Sequence, residues 1–227
     1  LFDIDSFVVT VIDTPPEVRF NEVQLTRRIL EGQTVSLQGA FDDAGINDLH
    51  TVSVDWGDGT SSLPQTLPIG ARSFDLHHQY LDDGVSLAGS HVYRVVVSVR
   101  DESGAISATP VFLVEVDNVL PSALNISLDT HAIDEGGEVE LTGSFIDPGT
   151  LDTHAVYINW GDGSPREKVP SSVIVRNGTQ RDFNLSHVYG DNPVSGSGFI
   201  VTMEVADDDE PLTAATSSSV SISVTNV

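Results

Sequence analysis

Two Asp-x-Gly-x-x-Asp frames carry the residues whose types and spacing could do chemistry: Asp43-Ala44-Gly45-Ile46-Asn47-Asp48 and Asp147-Pro148-Gly149-Thr150-Leu151-Asp152. Each is followed two residues later by a histidine, His50 or His154. Carboxylates gathered in loops repel one another unless protons, water or cations separate them. A hard cation such as calcium takes about six to eight oxygens at about 2.3 to 2.6 Å, and loop carboxylates, carbonyls and water can supply them. The spacing is not that of an EF-hand. The same frame also suits a solvated turn in which Gly takes a positive φ and Asp caps amides, so both readings stay open. Zinc fits poorly: it wants three or four convergent nitrogen or sulfur ligands, and the chain has no cysteine and no H-x-x-x-H pair. A packed, hydrogen-bonded loop histidine is the simpler reading of His50 and His154. No nucleophile elbow accompanies them, and a set of residues duplicated in tandem points to structure rather than to Ser-His-Asp catalysis.

The duplication extends well beyond the two frames. Glu31 to Gly59 aligns without a gap on Glu135 to Gly163, with 15 of 29 positions identical, and each copy closes on Trp-Gly-Asp-Gly, at Trp56-Gly57-Asp58-Gly59 and Trp160-Gly161-Asp162-Gly163. Such a repeat implies two units of about 100 residues, each able to build its own core. Residues 15–119 are the expected first domain and 120–227 the second, with 1–14 as the last strand of a preceding repeat or a domain edge. Period-two alternation predicts strands through Val35 and Leu37, Val52 and Val54, Val139 and Leu141, and Val156 and Ile158. Tyr93–Val99 and Phe199–Val205 read as equivalent late strands; Val114–Val119 and Ser221–Val227 read as equivalent last strands. No helical period persists, so the fold class is all-β: two tandem immunoglobulin-like sandwiches joined by a short linker that ends in Leu120-Pro121.

That topology gathers the acids. If the first strand of a unit runs down to the Glu-Gly turn, the next runs up and the third runs down to Trp-Gly-Asp-Gly, then the B–C and F–G loops share the upper end. In the second unit those loops hold Asp147 and Asp152 with Asp207, Asp208 and Asp209, joined by Asp117 and Asn118 from the linker. In the first unit the counterparts are Asp43, Asp48 and Asp101, approached by Asp13. Glu31 and Asp58, on the lower turns of the first copy, are expected to face the upper loops of the second. Calcium is the cofactor these positions suggest.

Composition narrows the partners. The 34 acidic and 10 basic residues leave a formal charge of −24, which opposes nucleic acid and anionic membranes. No apolar run approaches the ~18 residues of a membrane span. The acids lie between apolar strands rather than in one tail, and 39% hydrophobic residues suffice for cores. Sequons at Asn125, Asn177 and Asn184 are of a kind common by chance.

The two copies resemble PKD domains, sandwich modules whose signature is an aromatic-rich W-D-F-G-D-G segment with a later H-x-Y. The signature is shortened here to Asp55-Trp56-Gly57-Asp58-Gly59 and Asn159-Trp160-Gly161-Asp162-Gly163, with His78-Gln79-Tyr80 and His187-Val188-Tyr189 in the later position. The missing Phe marks a divergent, PKD-like subgroup, similar to the type strung together in large bacterial secreted or surface proteins. The resemblance implies an extracellular module with no single activity. The expected function is therefore a non-enzymatic spacer or adhesion stalk, stiffened by calcium, whose neighbours are further repeats of the same chain. The alternative is an accessory module of a secreted enzyme that binds a surface protein or a glycan, and an exposed aromatic platform would distinguish it.

Overall fold

The computed structural model describes residues 7–10, 12–20, 26–84, 89–108, 111–194, 198–209 and 216–227. The fold is all-β, and a single 3-10 turn at Ser171–Val173 is the one helical element among the described residues. Among the described residues, no helix is long and apolar enough to cross a membrane. Two compact units are present. The first gathers Leu1–Arg27, Thr34–His78 and Val92–Glu115; the second gathers Arg28–Gln33, Gln79–His91 and Val116–Val227.

Each copy of the repeat supplies two sheets. In chain order the strands of the first are β1 (Glu17–Phe20), β2 (Thr26–Leu30), β3 (Thr34–Asp42), β4 (His50–Asp55), β5 (Gln65–Leu67), β6 (Ser73–Gln79), β7 (Ser90–Arg100) and β8 (Val111–Asp117). They form sheets of order β1-β3-β6 and β2-β8-β7-β4-β5. The second copy contributes β9 (Ser122–Leu128), β10 (Ala132–Asp134), β11 (Glu138–Ile146), β12 (His154–Asn159), β13 (Glu167–Lys168), β14 (Val175–Asn177), β15 (Gln180–Val188), β16 (Gly198–Asp207) and β17 (Thr216–Thr225). Their orders are β14-β15-β11-β9 and β10-β17-β16-β12-β13. The expected strands through Val35, Val52, Val139 and Val156 are β3, β4, β11 and β12, and the late pair is β7 and β16.

Two features were not expected from the sequence. The opening strand of each copy is divided between its two sheets: β9 pairs antiparallel with β11, whereas β10 pairs parallel with β17. Asp129 sits at that break, its carboxylate accepting the Glu140 amide at 2.9 Å. At the start of the chain, Val11 of the expected leading strand lies outside the described residues, and the described residues 7–10 and 12–16 form no strand.

Alternation explains the cores. Along β11 the inward positions Val139, Leu141 and Phe145 are buried, and they meet Val156 and Ile158 of β12, Val201, Met203 and Val205 of β16, and Ile222 and Val224 of β17. Trp160 and Tyr189 close one end of this core, and Trp56 and Tyr80 are equally buried in the first copy. The Trp-Gly-Asp-Gly turn and the H-x-Y segment form one assembly. Gly163 has a φ of 87°, a conformation that side chains disfavour, and Asp162 caps the Ser164 amide at 3.0 Å. The other Asp162 oxygen lies 2.8 Å from His187 Nε2, and the imidazole stacks on Trp160 with centroids 4.5 Å apart. Tyr189 Oη donates to the Trp160 carbonyl at 3.0 Å. Asp58, His78 and Trp56 repeat the arrangement, with His78 Nε2 2.6 Å from the Asp58 carboxylate. Burial would raise Asp58 and Asp162, but their Thr60 or Ser164 and His78 or His187 partners hold both below the ordinary carboxylate range.

Because Tyr189 is wholly buried, Tyr189→Phe removes a buried hydroxyl that the Trp160 carbonyl accepts. The expected cost is about 1–2 kcal/mol, read as a lower urea midpoint at unchanged slope.

Candidate metal centre

The loops at one end of the second unit carry its most unusual feature, a concentration of buried acid. Glu31, Asp83, Asp147, Asp152, Asp207 and Asp209 are each no more than 4% exposed. Ligand atoms of Glu31, Asp147 and Asp152 all lie within 4.8 Å of one another, and so do those of Asp82, Asp152 and Asp209. Asp152 belongs to both groups.

The backbone places these side chains. Glu31 and Gly32 turn between β2 and β3, where the Glu31 amide donates to the Asp117 carbonyl at 2.9 Å and the Gly32 amide to the Tyr80 carbonyl at 2.7 Å. Glu31 Oε1 accepts the Val119 amide at 2.8 Å, so the linker is bonded into the centre. Asn118 Nδ2 donates to Asp207 at 3.2 Å. Asp147 follows the end of β11; its Oδ1 accepts the Gly149 amide at 2.8 Å and its Oδ2 lies 2.7 Å from His154 Nε2. His154 thus orients Asp147 without being placed as a ligand. The Leu151 amide donates to the Leu81 carbonyl at 3.2 Å, which brings Asp82 and Asp83 alongside Asp152.

Gly149 is there for room, not for backbone freedom: it does not have the positive φ expected of a turn glycine in this frame. A Cβ on Gly149 would stand 2.0 Å from Asp152 Oδ2 and 2.5 Å from Glu31 Oε2, and one on Gly45 would collide with Asp48 in the same way. Gly149→Ala must push two carboxylates apart. It is expected to cost about 1–3 kcal/mol, measured by thermal unfolding.

Several oxygens in the centre have no partner. Both oxygens of Asp152, both of Asp83, Oε2 of Glu31 and Oδ1 of Asn118 are buried and accept nothing. The electrostatics follow. Burial, then the neighbouring Asp147, Asp83 and Asp207, push Glu31 up to about 8 against the opposing Val119 amide. Burial, then Glu31, Asp147, Asp82 and Asp208, push Asp152 up to about 9. Burial and the adjoining Asp209 carboxylate also raise Asp83. The buried Arg181 stands near but gives its hydrogen bonds to the carbonyls of Gly178, Gln180 and Thr150. The donor set is almost entirely hard oxygen and carries a concentration of carboxylates, which matches calcium better than zinc.

The other sequence-derived positions divide. Asp207 lies in the buried cluster. Asp208 is exposed and accepts the Thr153 amide at 2.9 Å. Asp117 turns to Arg28, with contacts of 2.7 and 2.8 Å to its guanidinium, so the linker contributes Asn118 and backbone rather than this carboxylate. Asp58 is held by Thr60 and His78. In the first unit, Asp43 lies 2.5 Å from His50 Nε2, and Asp101 caps the Gly104 and Ala105 amides at 2.9 Å each. Burial would raise Asp101, but Ser103 and those amides hold it below the ordinary range. Asp13 accepts the Ser103 hydroxyl, and Asp48 is raised by burial and by Asp43, Glu102, Asp13 and Asp101. Among the described residues, no three acids of the first unit bring ligand atoms together.

Asp82 and Asp83 were not among the residues singled out from the sequence. The available signal was Asp82 two residues after the Tyr of His78-Gln79-Tyr80, matched by Asp191 two residues after that of His187-Val188-Tyr189.

No family model matches the chain, and no curated protein matches it. Solved structures similar to it include fibronectin(III)-like modules of Clostridium thermocellum CbhA, at 16% identity and a TM-score of 0.30, covering 92% of this chain and 94% of that one. The mouse nectin-like molecule 4 ectodomain is similar at 12% identity and a TM-score of 0.41, covering 88% and 67%. The amphioxus IgVJ-C2 molecule is similar at 11% identity and a TM-score of 0.41, covering 87% and 99%. These likenesses say nothing of what the chain does.

Proposed function

We propose that the chain is a pair of PKD-like repeats from a larger bacterial surface or secreted protein, acting as a non-enzymatic spacer that calcium stiffens. The buried centre of the second unit carries this reading. Its carboxylates are buried, with unpartnered oxygens on Glu31, Asp83 and Asp152, while Glu31, Asn118 and Val119 bond the linker into the same cluster. A cation there would tie together Arg28–Gln33, the loop after Tyr80 and the loops of the second copy, segments far apart in sequence. The repeated Trp, His, Tyr and Asp of the signature are taken up by core packing and turn bonds, which supports structure over catalysis.

The glycan-binding alternative lacks its expected platform among the described residues. Trp56 and Trp160 are buried, Tyr157 lies beneath the Arg166 guanidinium at 4.2 Å, and the exposed aromatic Phe7 stands outside any strand.

Hydrogen exchange of chelator-treated protein with and without 10 mM calcium tests the reading. With an affinity on the order of 10⁻⁴ M, stabilisation is about 2.7 kcal/mol, and protection should rise at Glu31–Gln33, Tyr80–Gly84 and Asn118–Val119. Unchanged protection at all three would leave an ion-independent spacer and defeat the calcium reading.

A further inference from the structure

We propose that the centre holds two calcium ions with the Asp152 carboxylate as the bridge between them. One would lie among Glu31, Asp147 and Asp152, and the other among Asp82, Asp152 and Asp209. This rests on the calcium reading above and extends it from one cation to a linked pair.

Two groups of acids share one member. Within each group of three the ligand atoms lie inside 4.8 Å. That is the spread of oxygens around one ion at about 2.3 to 2.6 Å, since two ligands on opposite sides are about 5 Å apart. Asp152 is the residue common to both groups, and it is 1% exposed with neither oxygen engaged. A carboxylate with both oxygens free can give one to each ion, the arrangement of paired metals about 3.5 to 4 Å apart.

Each nest has a further unpartnered acceptor of its own. Glu31 Oε2 serves the first; Glu31 Oε1 is already bonded to the Val119 amide, which aims the side chain. Asp83 adjoins Asp209 in the second, is fully buried and leaves both oxygens unbonded. Charge favours the pair as well. One divalent ion offsets two charges among six buried carboxylates and Asp82, whereas a second, held at the Asp82, Asp152 and Asp209 group, offsets two more.

Stoichiometry decides it. Calcium binding to the whole chelator-treated chain is measured by equilibrium dialysis in 0.15 M NaCl, where salt screens diffuse attraction to the acidic surface. The wild type should saturate at two ions per chain. Glu31→Gln and Asp209→Asn should each saturate at one, and Asp152→Asn should weaken both sites at least a hundredfold. Thermal unfolding in chelator identifies any variant that has lost its fold, and in that case the wild-type stoichiometry still decides. One ion at saturation in the wild type overturns the paired site and leaves the calcium reading standing. No saturable binding overturns both.

Discussion

Replacing Asp152 by Asn should abolish the calcium-dependent rise in melting temperature while leaving the chelated protein no less stable than the wild type. The two halves of this result have one cause. Asp152 is buried beside Glu31, Asp147 and Asp82 with no donor on either oxygen, so without a cation it is held protonated, its pKa pushed up to about 9. Asn is close in shape to a protonated Asp and carries no charge. Its amide can donate toward Glu31, whose Oε2 has no donor. In calcium the balance reverses, because Asn offers one weak carbonyl oxygen where the carboxylate offers two charged ones. With wild-type stabilisation near 2.7 kcal/mol at a hundredfold excess over the dissociation constant, the lost response should be on the order of 10 °C. A general structural role for Asp152 would instead lower the melting temperature in chelator and in calcium alike.

A second large effect is expected from pH. In the unfolded chain Glu31 and Asp152 titrate near 4.5 and 3.8, whereas in the folded chain they are raised to about 8 and about 9. The folded state therefore holds protons that the unfolded state has released. The stability these two groups contribute is complete below about pH 4 and is lost as pH rises toward 8 and 9. Each group can change stability by about 1.4 kcal/mol per pH unit within its interval. Asp58, Asp101 and Asp162 act in the opposite direction: their lowered values give stability above pH 3.8 that is lost on acidification. Chelated protein should thus be most stable near pH 5 and should melt well below that temperature at pH 8.5. Calcium competes with the same protons and should remove most of that fall. A melting temperature that is flat from pH 5 to 8.5 in chelator would show that these carboxylates are not held protonated in the fold.

The sequence and the structure agree most closely where a residue's role depends on its own strand or turn. Trp160 at the end of an alternating run had to be inside, and Asp162-Gly163 had to turn. The bond from His187 to Asp162 joins residues 25 apart, and only the fold brings the H-x-Y imidazole onto the indole. The opening strand was harder to read. The sheet change between Leu128 and Ala132 falls at one short break, while alternation on either side looks continuous.

The buried acidic cluster was legible in part. Asp147, Asp152 and the 207–209 run are loop acids at one end of a sandwich, and topology alone gathers them. Whether a loop acid faces the centre depends on what else it can bond. Asp117 finds Arg28, Asp208 finds the Thr153 amide, and Asp101 finds its own loop amides; none of these choices is written in spacing. Asp82 and Asp83 join through the Leu151 to Leu81 backbone bond, a contact between residues 70 apart. Gly149 marks the limit of motif reading. In D-x-G-x-x-D the glycine suggests a left-handed turn, yet here it gives Asp152 and Glu31 space above its Cα.

The most direct measurement is a crystal structure of the protein grown in calcium, with anomalous differences collected at long wavelength. The account predicts peaks about 2.3 to 2.6 Å from Asp152, with Glu31 and Asp147 around one and Asp82 and Asp209 around the other. An anomalous map with no peak at Asp152, in crystals soaked at millimolar calcium above pH 7, would contradict a cation centre and leave a cluster of protonated acids.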